Sequence, residues 1–255
     1  MPTAAITGSA SGIGAGIRTR LEKDGYRVIG VDLREAEVVA DLGTPAGRAA
    51  AVEAVRSHCD GRLDRLVTCA GLGSNVRPPS RVLAVNYFGA VDVLDGLLPV
   101  LRRGAQPAAL AIVSNSAQLA PLDDDPVVQS LLAHDEAEAG RTADAGDNPI
   151  LAYLGSKHAL GRALRRRVRP WGDARVRLNG VAPGPVSTPL LEGTLADPVT
   201  RDAVASIDVP IGRWGEPEDV AALASFLLGP EAGWIHGSIV YVDGGNDAEV
   251  RPDRY

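Results

Sequence analysis

The sequence predicts a single α/β domain with a doubly wound, mostly parallel sheet and helices on both faces. Short apolar runs alternate with longer segments in which apolar residues recur every three and four positions. Strand, helix and strand in this rhythm indicate right-handed βαβ units. The chain has 255 residues and 45% hydrophobic content, so it can build one large core.

Six strands and five main helices follow from this pattern. The predicted strands are 3–7, 26–31, 65–69, 109–114, 176–182 and 238–242, and the helical patterns are 13–24, 45–58, 80–102, 150–169 and 216–229. Sheets of this kind bind ligands where the carboxyl ends of the strands meet the crossover loops. We therefore expect functional residues directly after strands.

Composition and charge exclude several classes of function. A net charge of −6 disfavours a broad attraction to nucleic acid or to an anionic membrane surface. The basic cluster at 162–169 has helical spacing and is expected on a solvated face. Two cysteines, Cys59 and Cys69, predict neither a disulfide framework nor a metal site. The first strand begins at Thr3 and no apolar stretch looks long enough to span a bilayer, so we expect a soluble, cytoplasmic protein.

A glycine-rich loop follows the first strand. It reads TGSASGIGAGIR and contains Gly8, Gly12 and Gly14. Such glycines allow a tight turn and the close approach of a pyrophosphate to the backbone, and the following helix N-terminus offers free N–H groups. The loop predicts a Rossmann-like dinucleotide site, although a glycine triplet alone is also compatible with a simple tight turn.

The second strand ends in Asp32, whose carboxylate can accept both ribose hydroxyls of an adenosine and would repel a 2′-phosphate. This favours NAD over NADP, with Arg34 as the opposing feature. Asp32 could instead be a cap or turn residue. Asp41 follows a further short apolar run and could reach the adenine or serve only in a turn.

Tyr153 and Lys157 are four residues apart on a predicted helix, so they share one face. Lys157 is one of only two lysines in an arginine-rich chain. A fixed cation beside a phenol favours the phenolate and lowers the phenol's pKa, which suits an acid and base that interconverts an alcohol and a ketone. Taken alone, the pair could also be a surface tyrosine with a snorkelling lysine.

These motifs in this order resemble the short-chain dehydrogenase/reductase family. The resemblance covers essentially the whole chain and includes the glycine loop, Asp32, LVTCAG at 66–71, Asn86 in VNYFG, a serine after the fifth strand, Tyr153, Lys157, PG at 183–184 and VDGG at 242–245. Within the family, the chain looks most like the bacterial 3α-hydroxysteroid dehydrogenase/carbonyl reductases. VDLREAEVVADL and the C-terminal DGGNDAEVRP carry that closer likeness.

The resemblance implies a role for each matching residue. Tyr153 would be the acid and base, Lys157 would lower its pKa and hold the nicotinamide ribose, Ser114 would hydrogen-bond the substrate oxygen, and Asn86 would keep a water in a proton relay. Ser114 could instead simply end a strand, and Asn86 could hold a helix bend. Asp64 would support the adenine pocket floor indirectly. The implied NAD(H) contacts are Gly8, Ser11, Gly12, Ile13, Gly14, Asp32, Leu33, Asp41, Leu42, Cys69, Ala70, Gly71, Tyr153, Lys157, Pro183, Gly184, Val186 and Thr188.

Three features depart from the family pattern. The usual Asn-Asn-Ala-Gly is replaced by residues 68–71, Thr-Cys-Ala-Gly, which keeps the small residues but loses two amide side chains. The segment VSNSAQ offers both Ser114 and Ser116, and we favour Ser114 because it closes the strand. A long insertion at 117–149 precedes Tyr153, and the hydroxysteroid-type group has one in the same place.

The insertion carries eight acidic residues, one arginine and a short apolar pattern at 127–132, which predict a helical element. It could be a lid that shapes the substrate pocket or a surface element that alters how subunits pair. His134 within it is expected to be solvated.

We therefore predict an NAD(H)-dependent oxidoreductase that interconverts a secondary alcohol and a ketone on an apolar, cyclic substrate such as a steroid, terpenoid or polyketide. Leu190, Leu191 and Leu195 would supply apolar walls near the nicotinamide. The alternatives are a dinucleotide-binding sensor of the same fold and an epimerase or lyase that uses the same tyrosine and lysine. Family relatives imply a homodimer or homotetramer.

Overall fold

The fold is described by a computed structural model covering residues 1–254, in which one sheet contains seven parallel strands. The strands are β1 (Thr3–Thr7), β2 (Arg27–Asp32), β3 (Val38–Val39), β4 (Arg65–Thr68), β5 (Ala108–Ile112), β6 (Arg177–Pro183) and β7 (Ile239–Val242). Their order is β3-β2-β1-β4-β5-β6-β7. The predicted doubly wound sheet is confirmed, and the short apolar run at Val38–Val39 adds a seventh strand.

Helices cover both faces of the sheet. They are α1 (Gly12–Lys23), α2 (Pro45–His58), α3 (Pro79–Leu83), α4 (Gly89–Leu101), α5 (Pro126–Leu132), α6 (Glu136–Gly146), α7 (Pro149–Arg166), α8 (Val168–Asp173), α9 (Pro189–Ala196), α10 (Arg201–Ala205), α11 (Pro217–Leu228) and α12 (Asn246–Val250). One buried cluster packs α1 and α11 against the sheet, and the other packs α2, α4 and α7. The hydrophobic core therefore has two layers.

The strand order reverses between β1 and β4. From β1 the chain runs outward to β2 and β3, then crosses back to β4 on the other side of β1. In the register of neighbouring strands, Thr7 pairs with Thr68 and Ile112 pairs with Val181, so the carboxyl ends lie along one edge. The loops that follow these ends diverge at the switch point and form a crevice.

Helices α3 and α4 are joined by a π-helical turn, Ala84–Phe88, into one continuous helix from Pro79 to Leu101. This helix has a mean hydropathy of 1.3 over its most apolar window and is long enough to cross a bilayer. The expectation that no apolar stretch has that length is therefore wrong. In the fold, 72% of that window is buried inside the protein, as in the core helix of a globular domain.

Candidate active site

The glycine-rich loop packs directly against the loop after β4. Gly8 has a φ of +70°, and a Cβ added there would lie 2.7 Å from the Ala70 Cα. A Cβ added to Gly14 would lie 1.9 Å from the Gly8 carbonyl oxygen. The backbone at both positions has no space for a side chain, which is the close approach predicted from the sequence.

Helix α1 begins at Gly12 with Ser11 as its N-cap residue, and the Ser11 side chain makes no capping hydrogen bond. The first-turn N–H groups of this twelve-residue helix therefore lack a side-chain partner. Ile13 and Gly14 lie in that turn. An uncapped N-terminus behind a glycine loop fits a dinucleotide pyrophosphate.

Asp32 ends β2 beside this loop, with its two carboxylate oxygens accepting hydrogen bonds from the backbone N–H groups of Ala10 (3.0 Å) and Leu33 (2.7 Å). These contacts fix the carboxylate next to the phosphate cradle. The Leu33 side chain is 59% exposed, so it offers an apolar surface to an adenine. The pair fits the adenosine half of an NAD molecule.

Asp41 and Leu42 lie past the carboxyl end of β3, where the Asp41 carboxylate accepts hydrogen bonds from Gly43 N (2.9 Å) and from the Arg81 guanidinium (2.8 Å). The Arg81 guanidinium holds the pKa of the Asp41 carboxyl below its usual range. Leu42 is buried and its Cβ packs against Gly89. The turn role left open for Asp41 is therefore present, and a contact to adenine stays a prediction.

Thr7, at the end of β1, was missed by sequence reasoning. Its hydroxyl oxygen accepts hydrogen bonds from the backbone N–H groups of Cys69 (3.0 Å) and Ala70 (3.1 Å). This ties the loop after β4 to the glycine loop, and it needs no amide side chain at position 68 or 69. A polar residue at the end of an otherwise apolar strand was the available signal. Burial raises the pKa of the Cys69 thiol to about 12, so this side chain stays uncharged.

Asn86 lies in the π-helical turn and is completely buried. Its side-chain amide donates to the Leu72 carbonyl (3.1 Å) and to the Ser156 hydroxyl (3.3 Å), and its oxygen accepts from Leu72 N (2.7 Å). Asn86 thus joins the loop after β4 to α7. π-Helical turns often occur at functional sites, and this one places the amide beside Gly71 and Lys157.

Tyr153 is half-buried on α7, with its hydroxyl beside both Ser114 and Ser116. The two serine hydroxyls are 2.8 Å apart, and Ser116 N donates to the Ser114 oxygen (3.2 Å). Ser114 follows β5. Tyr153 and a serine therefore lie next to each other at the carboxyl end of this strand, as predicted. Both serines lie within reach of the phenol, and their positions alone do not separate their roles.

Lys157 is buried one turn further along α7, and its ammonium donates to the carbonyl oxygen of Ile112, the last residue of β5 (2.8 Å). Burial lowers the pKa of this ammonium to about 8. Tyr153 and Lys157 therefore both face the crevice, as predicted for neighbours at this spacing.

One electrostatic prediction needs correction. We expected Lys157 to lower the pKa of Tyr153, whereas burial raises that pKa above its ordinary value in the protein alone. The neighbouring Ser114 and Ser116 hydroxyls act to lower it, and the Lys157 ammonium points to Ile112 instead. The helix spacing was sufficient to predict proximity, but a backbone acceptor at the end of β5 determines where the cation points.

The loop after β6 closes the crevice opposite α7. A Cβ at Gly184 would lie 2.8 Å from the Asp243 side chain, and Val186 pairs with Gly215 in an isolated bridge. Thr188 caps α9 through Leu191 N (3.3 Å), and its methyl group approaches within 3.1 Å of a Cβ built at Gly12. Pro183, Gly184, Val186 and Thr188 thus follow β6 at the predicted edge.

The loop after β5 is held from the C-terminal side by residues that sequence reasoning also missed. The buried Asn115 side chain donates to the Asn246 side chain of α12 (2.9 Å), and Asn246 donates to the Asp208 carbonyl (2.7 Å). Ser114 therefore has a neighbour fixed by the C-terminal helix. An asparagine between two serines gave no local signal for a partner 131 positions away.

Asp64 is not near the crevice. It precedes β4, and its carboxylate accepts hydrogen bonds from Thr3 N (2.8 Å) and Ala105 N (2.6 Å) at the amino edge of the sheet. The predicted support for the adenine pocket floor is therefore wrong. Its pKa is lowered by these backbone hydrogen bonds and by Arg62, although burial acts in the opposite direction and is the largest influence.

In the insertion, Val128 and Leu131 of α5 are fully buried, and α6 follows. His134 is about half exposed, but it is not merely solvated, because its Nε2 lies 3.1 Å from the Asp92 carboxylate and its ring packs edge-on against Phe88. These contacts place His134 against α4 and not against Tyr153.

The chain is similar over nearly its full length to the 3α-hydroxysteroid dehydrogenase/carbonyl reductase of Comamonas testosteroni, with 43% identity over 254 residues and 98% of each chain covered. The chain belongs to the short-chain dehydrogenase/reductase family. The short chain dehydrogenase profile matches residues 2–122, and a profile described as enoyl-(acyl carrier protein) reductase matches residues 139–247.

Solved structures of other short-chain dehydrogenases/reductases agree with this membership. The 3α-hydroxysteroid dehydrogenase of Pseudomonas sp. B-0831, complexed with NADH, superimposes with a TM-score of 0.98 at 47% identity, covering 99% of this chain and all of the other. The NADH complex of the Brucella melitensis 3-ketoacyl-(acyl-carrier-protein) reductase gives 0.74 at 26% identity, covering 96% and 98%. The predicted family and the predicted class, a nicotinamide-dependent oxidoreductase, are confirmed.

Replacing Asp32 by alanine should shift cofactor preference toward NADP(H). The variant loses a carboxylate that would bond the ribose hydroxyls and repel a 2′-phosphate. A charge-assisted hydrogen bond contributes about 1.5–3 kcal/mol, so the ratio of kcat/KM for NADH over NADPH should fall by about tenfold or more. Steady-state rates with both cofactors measure this, and equal preference in the unmutated enzyme would contradict the assignment.

The buried Lys157 ammonium should make the free energy of unfolding of the cofactor-free protein depend on pH. Because its folded pKa is about 8 and its unfolded pKa about 10.5, the unfolded chain holds the extra proton between these values. The free energy of unfolding, relative to a Lys157→Met variant, should therefore rise by about 3 kcal/mol between pH 8 and 10.5, at about 1.4 kcal/mol per pKa unit. Urea unfolding of both proteins across this range measures it, and parallel curves would show that the ammonium is not desolvated.

Proposed function

We propose that this protein interconverts a secondary alcohol and a ketone on an apolar, cyclic substrate with NAD(H) as cofactor. The observation that carries the proposal is the convergence of Tyr153, Ser114 and Lys157 at the carboxyl end of β5, beside a glycine loop and Asp32. Tyrosine and serine hydroxyls at one strand end can hold and protonate a carbonyl oxygen.

Each residue of the site takes one part of the reaction. When bound, the nicotinamide ring supplies the hydride to the carbonyl carbon or removes it from the alcohol carbon. Tyr153 donates the proton to the carbonyl oxygen during reduction and accepts it during oxidation. Ser114 donates a hydrogen bond to the same oxygen. The Ser114 Oγ in turn accepts a hydrogen bond from the Ser116 N–H, which holds the serine side chain in place.

Lys157 and Asn86 act behind the phenol. Lys157 would hold the nicotinamide ribose, and the positive charge of the oxidised cofactor would favour the phenolate. Lys157 and Asn86 lie close to each other, since a Cβ built at Gly71 would be 3.8 Å from the Lys157 Nζ and 3.4 Å from the Asn86 Oδ1. The proton that Tyr153 gains during oxidation would leave past these two groups to solvent. Because burial raises the pKa of Tyr153 in the protein alone, the phenol stays protonated and is a weaker acid than usual before cofactor binds.

The choice of NAD(H) rests on Asp32 and on the uncapped N-terminus of α1, and the NADH complexes of the two structural relatives support it. The glycine loop, packed against Ala70, presents bare backbone, which fits the close approach of a pyrophosphate. Arg34, two residues after Asp32, is the feature that opposes this choice.

The substrate class follows from apolar side chains on the segments around the crevice. Leu119, after the serine segment, is 50% exposed. Leu190, the second residue of α9, is 40% exposed and reaches the loop at Gly73. Val250 of α12 is 54% exposed. Such surfaces gain most by covering an apolar ligand. The named activity of the Comamonas testosteroni relative supports a steroid-like or other cyclic ketone. A homodimer or homotetramer and a cytoplasmic location stay predictions.

Replacing Tyr153 by phenylalanine should reduce turnover by about 10³-fold, since a positioned acid and base contributes 10²–10⁴-fold. The affinity for NADH should stay nearly unchanged, because the phenol is assigned only proton transfer. Absorbance of reduced cofactor with a panel of cyclic ketones, together with NADH fluorescence titration, measures both quantities.

A Tyr26→Phe variant is the matched control, because Tyr26 packs against Arg65 before β2, at the other edge of the sheet. It should retain full activity. Substantial turnover by Tyr153→Phe would remove the assigned role. Product formation without any net change in reduced cofactor would favour an epimerase instead.

A further inference from the structure

Arg48 is the most deeply buried cation outside the active site in the described chain, with a side chain only 3% exposed. It lies on α2, one turn after the Asp41–Leu42 segment. Its Nη1 donates to the Leu42 carbonyl oxygen (3.3 Å), and the guanidinium lies 5.7 Å from the centre of the Phe88 ring. A fixed cation therefore supports the backbone at the predicted adenine contact from behind.

Two carboxylates hold this guanidinium. Asp92 of α4 accepts from Nε (2.6 Å), and Glu136, the first residue of α6, accepts from Nη1 (3.1 Å) and from Nη2. Planar two-point contacts of this kind fix an arginine in orientation as well as in position. Glu136 belongs to the insertion, so the insertion covers Arg48 and holds it against Leu42.

A second connection runs from α6 to Asp41, the residue before Leu42. The Asp144 carboxylate of α6 accepts from the backbone N–H of Ser80 at the start of α3 (2.8 Å). The next residue, Arg81, donates to the Asp41 carboxylate (2.8 Å). Two independent routes thus lead from α6 to adjacent residues of one loop, Asp41 and Leu42.

We propose that α6 of the insertion is a strut that holds Asp41 and Leu42 in position for the adenine of NAD(H), with Arg48 and Glu136 as positioning residues. The inference rests on the proposed function, since Asp41 and Leu42 are adenine contacts only if a dinucleotide binds there. A loop held rigidly before binding loses less conformational freedom on binding, which strengthens affinity without altering the chemical step.

The contacts of α6 differ from those expected of a substrate lid. A substrate lid would act near Tyr153, whereas Glu136 and Asp144 contact α2 and α3 on the adenosine side of the crevice. Ion pairs of buried arginines are weak evidence for stability as such, because desolvation offsets the attraction. Because Arg48 also donates to the Leu42 carbonyl oxygen, the Arg48–Glu136 ion pair fixes the position of the Leu42 backbone.

The test compares Glu136→Gln with the unmutated full-length enzyme. Glutamine keeps the shape but loses the charge that orients Arg48. Coupling between two sites of a protein typically changes an affinity by about 5–150-fold. Because the variant removes one of the two routes from α6 to the loop, we expect a change of about tenfold. The KM for NADH and the dissociation constant of ADP-ribose should both rise by about that factor, while kcat at saturating NADH stays unchanged.

Glu138→Gln is the matched control, because Glu138 lies on the same turn of α6 and, within residues 1–254, its side chain bonds only to Arg141 and Thr142 of the same helix. It should change neither constant. Unchanged ADP-ribose affinity in a folded Glu136→Gln variant would overturn the strut, and so would a fall in kcat with no change in affinity. An unmutated enzyme that binds neither NADH nor ADP-ribose would instead remove the proposed function.

Discussion

The hydrogen bond from the Lys157 ammonium to the Ile112 carbonyl fixes the geometry on which the rest of the site depends. It joins the middle of α7 to the last residue of β5, so the tyrosine one turn earlier has to lie beside the serines that follow the same strand. Burying an ammonium costs free energy, which is visible in the lowered pKa of Lys157. Lys157 is one of only two lysines in the chain, and its destabilising burial is explained by the role that we propose for it in the site.

The cofactor crevice is built from backbone and small residues, and the chain keeps it open through contacts made elsewhere. Thr7 holds the loop after β4, Asn86 joins that loop to α7, and Asn115 ties the serine loop to the C-terminal helix. These contacts explain how the site tolerates Thr68 and Cys69 in place of two amides. Arg48 extends the same principle to the adenosine end, where an insertion helix supplies the partner.

Much of this architecture was predictable because parallel strands and crossover helices impose strong periodicities, and strand ends indicate where ligands bind. The glycine loop, Asp32, Tyr153 and Ser114 all occupy the predicted edge. The direction of the Lys157 side chain was not predictable, since a helix spacing specifies a face and says nothing of a carbonyl on another element. The prediction for Asp64 was wrong for a related reason. Asp64 precedes β4, and residues that precede parallel strands lie at the edge of the sheet opposite the ligand site.

We infer that Tyr153 is a weak acid in the protein alone and becomes acidic enough to act when the oxidised cofactor adds its positive charge. An ultraviolet difference titration of the unmutated protein against Tyr153→Phe, with and without NAD⁺, isolates this phenol. We expect the Tyr153 pKa to lie above the ordinary value of about 10 without cofactor and to fall clearly below it with NAD⁺ bound. An identical titration in both states, or a pKa already below 10 in the free protein, would contradict it.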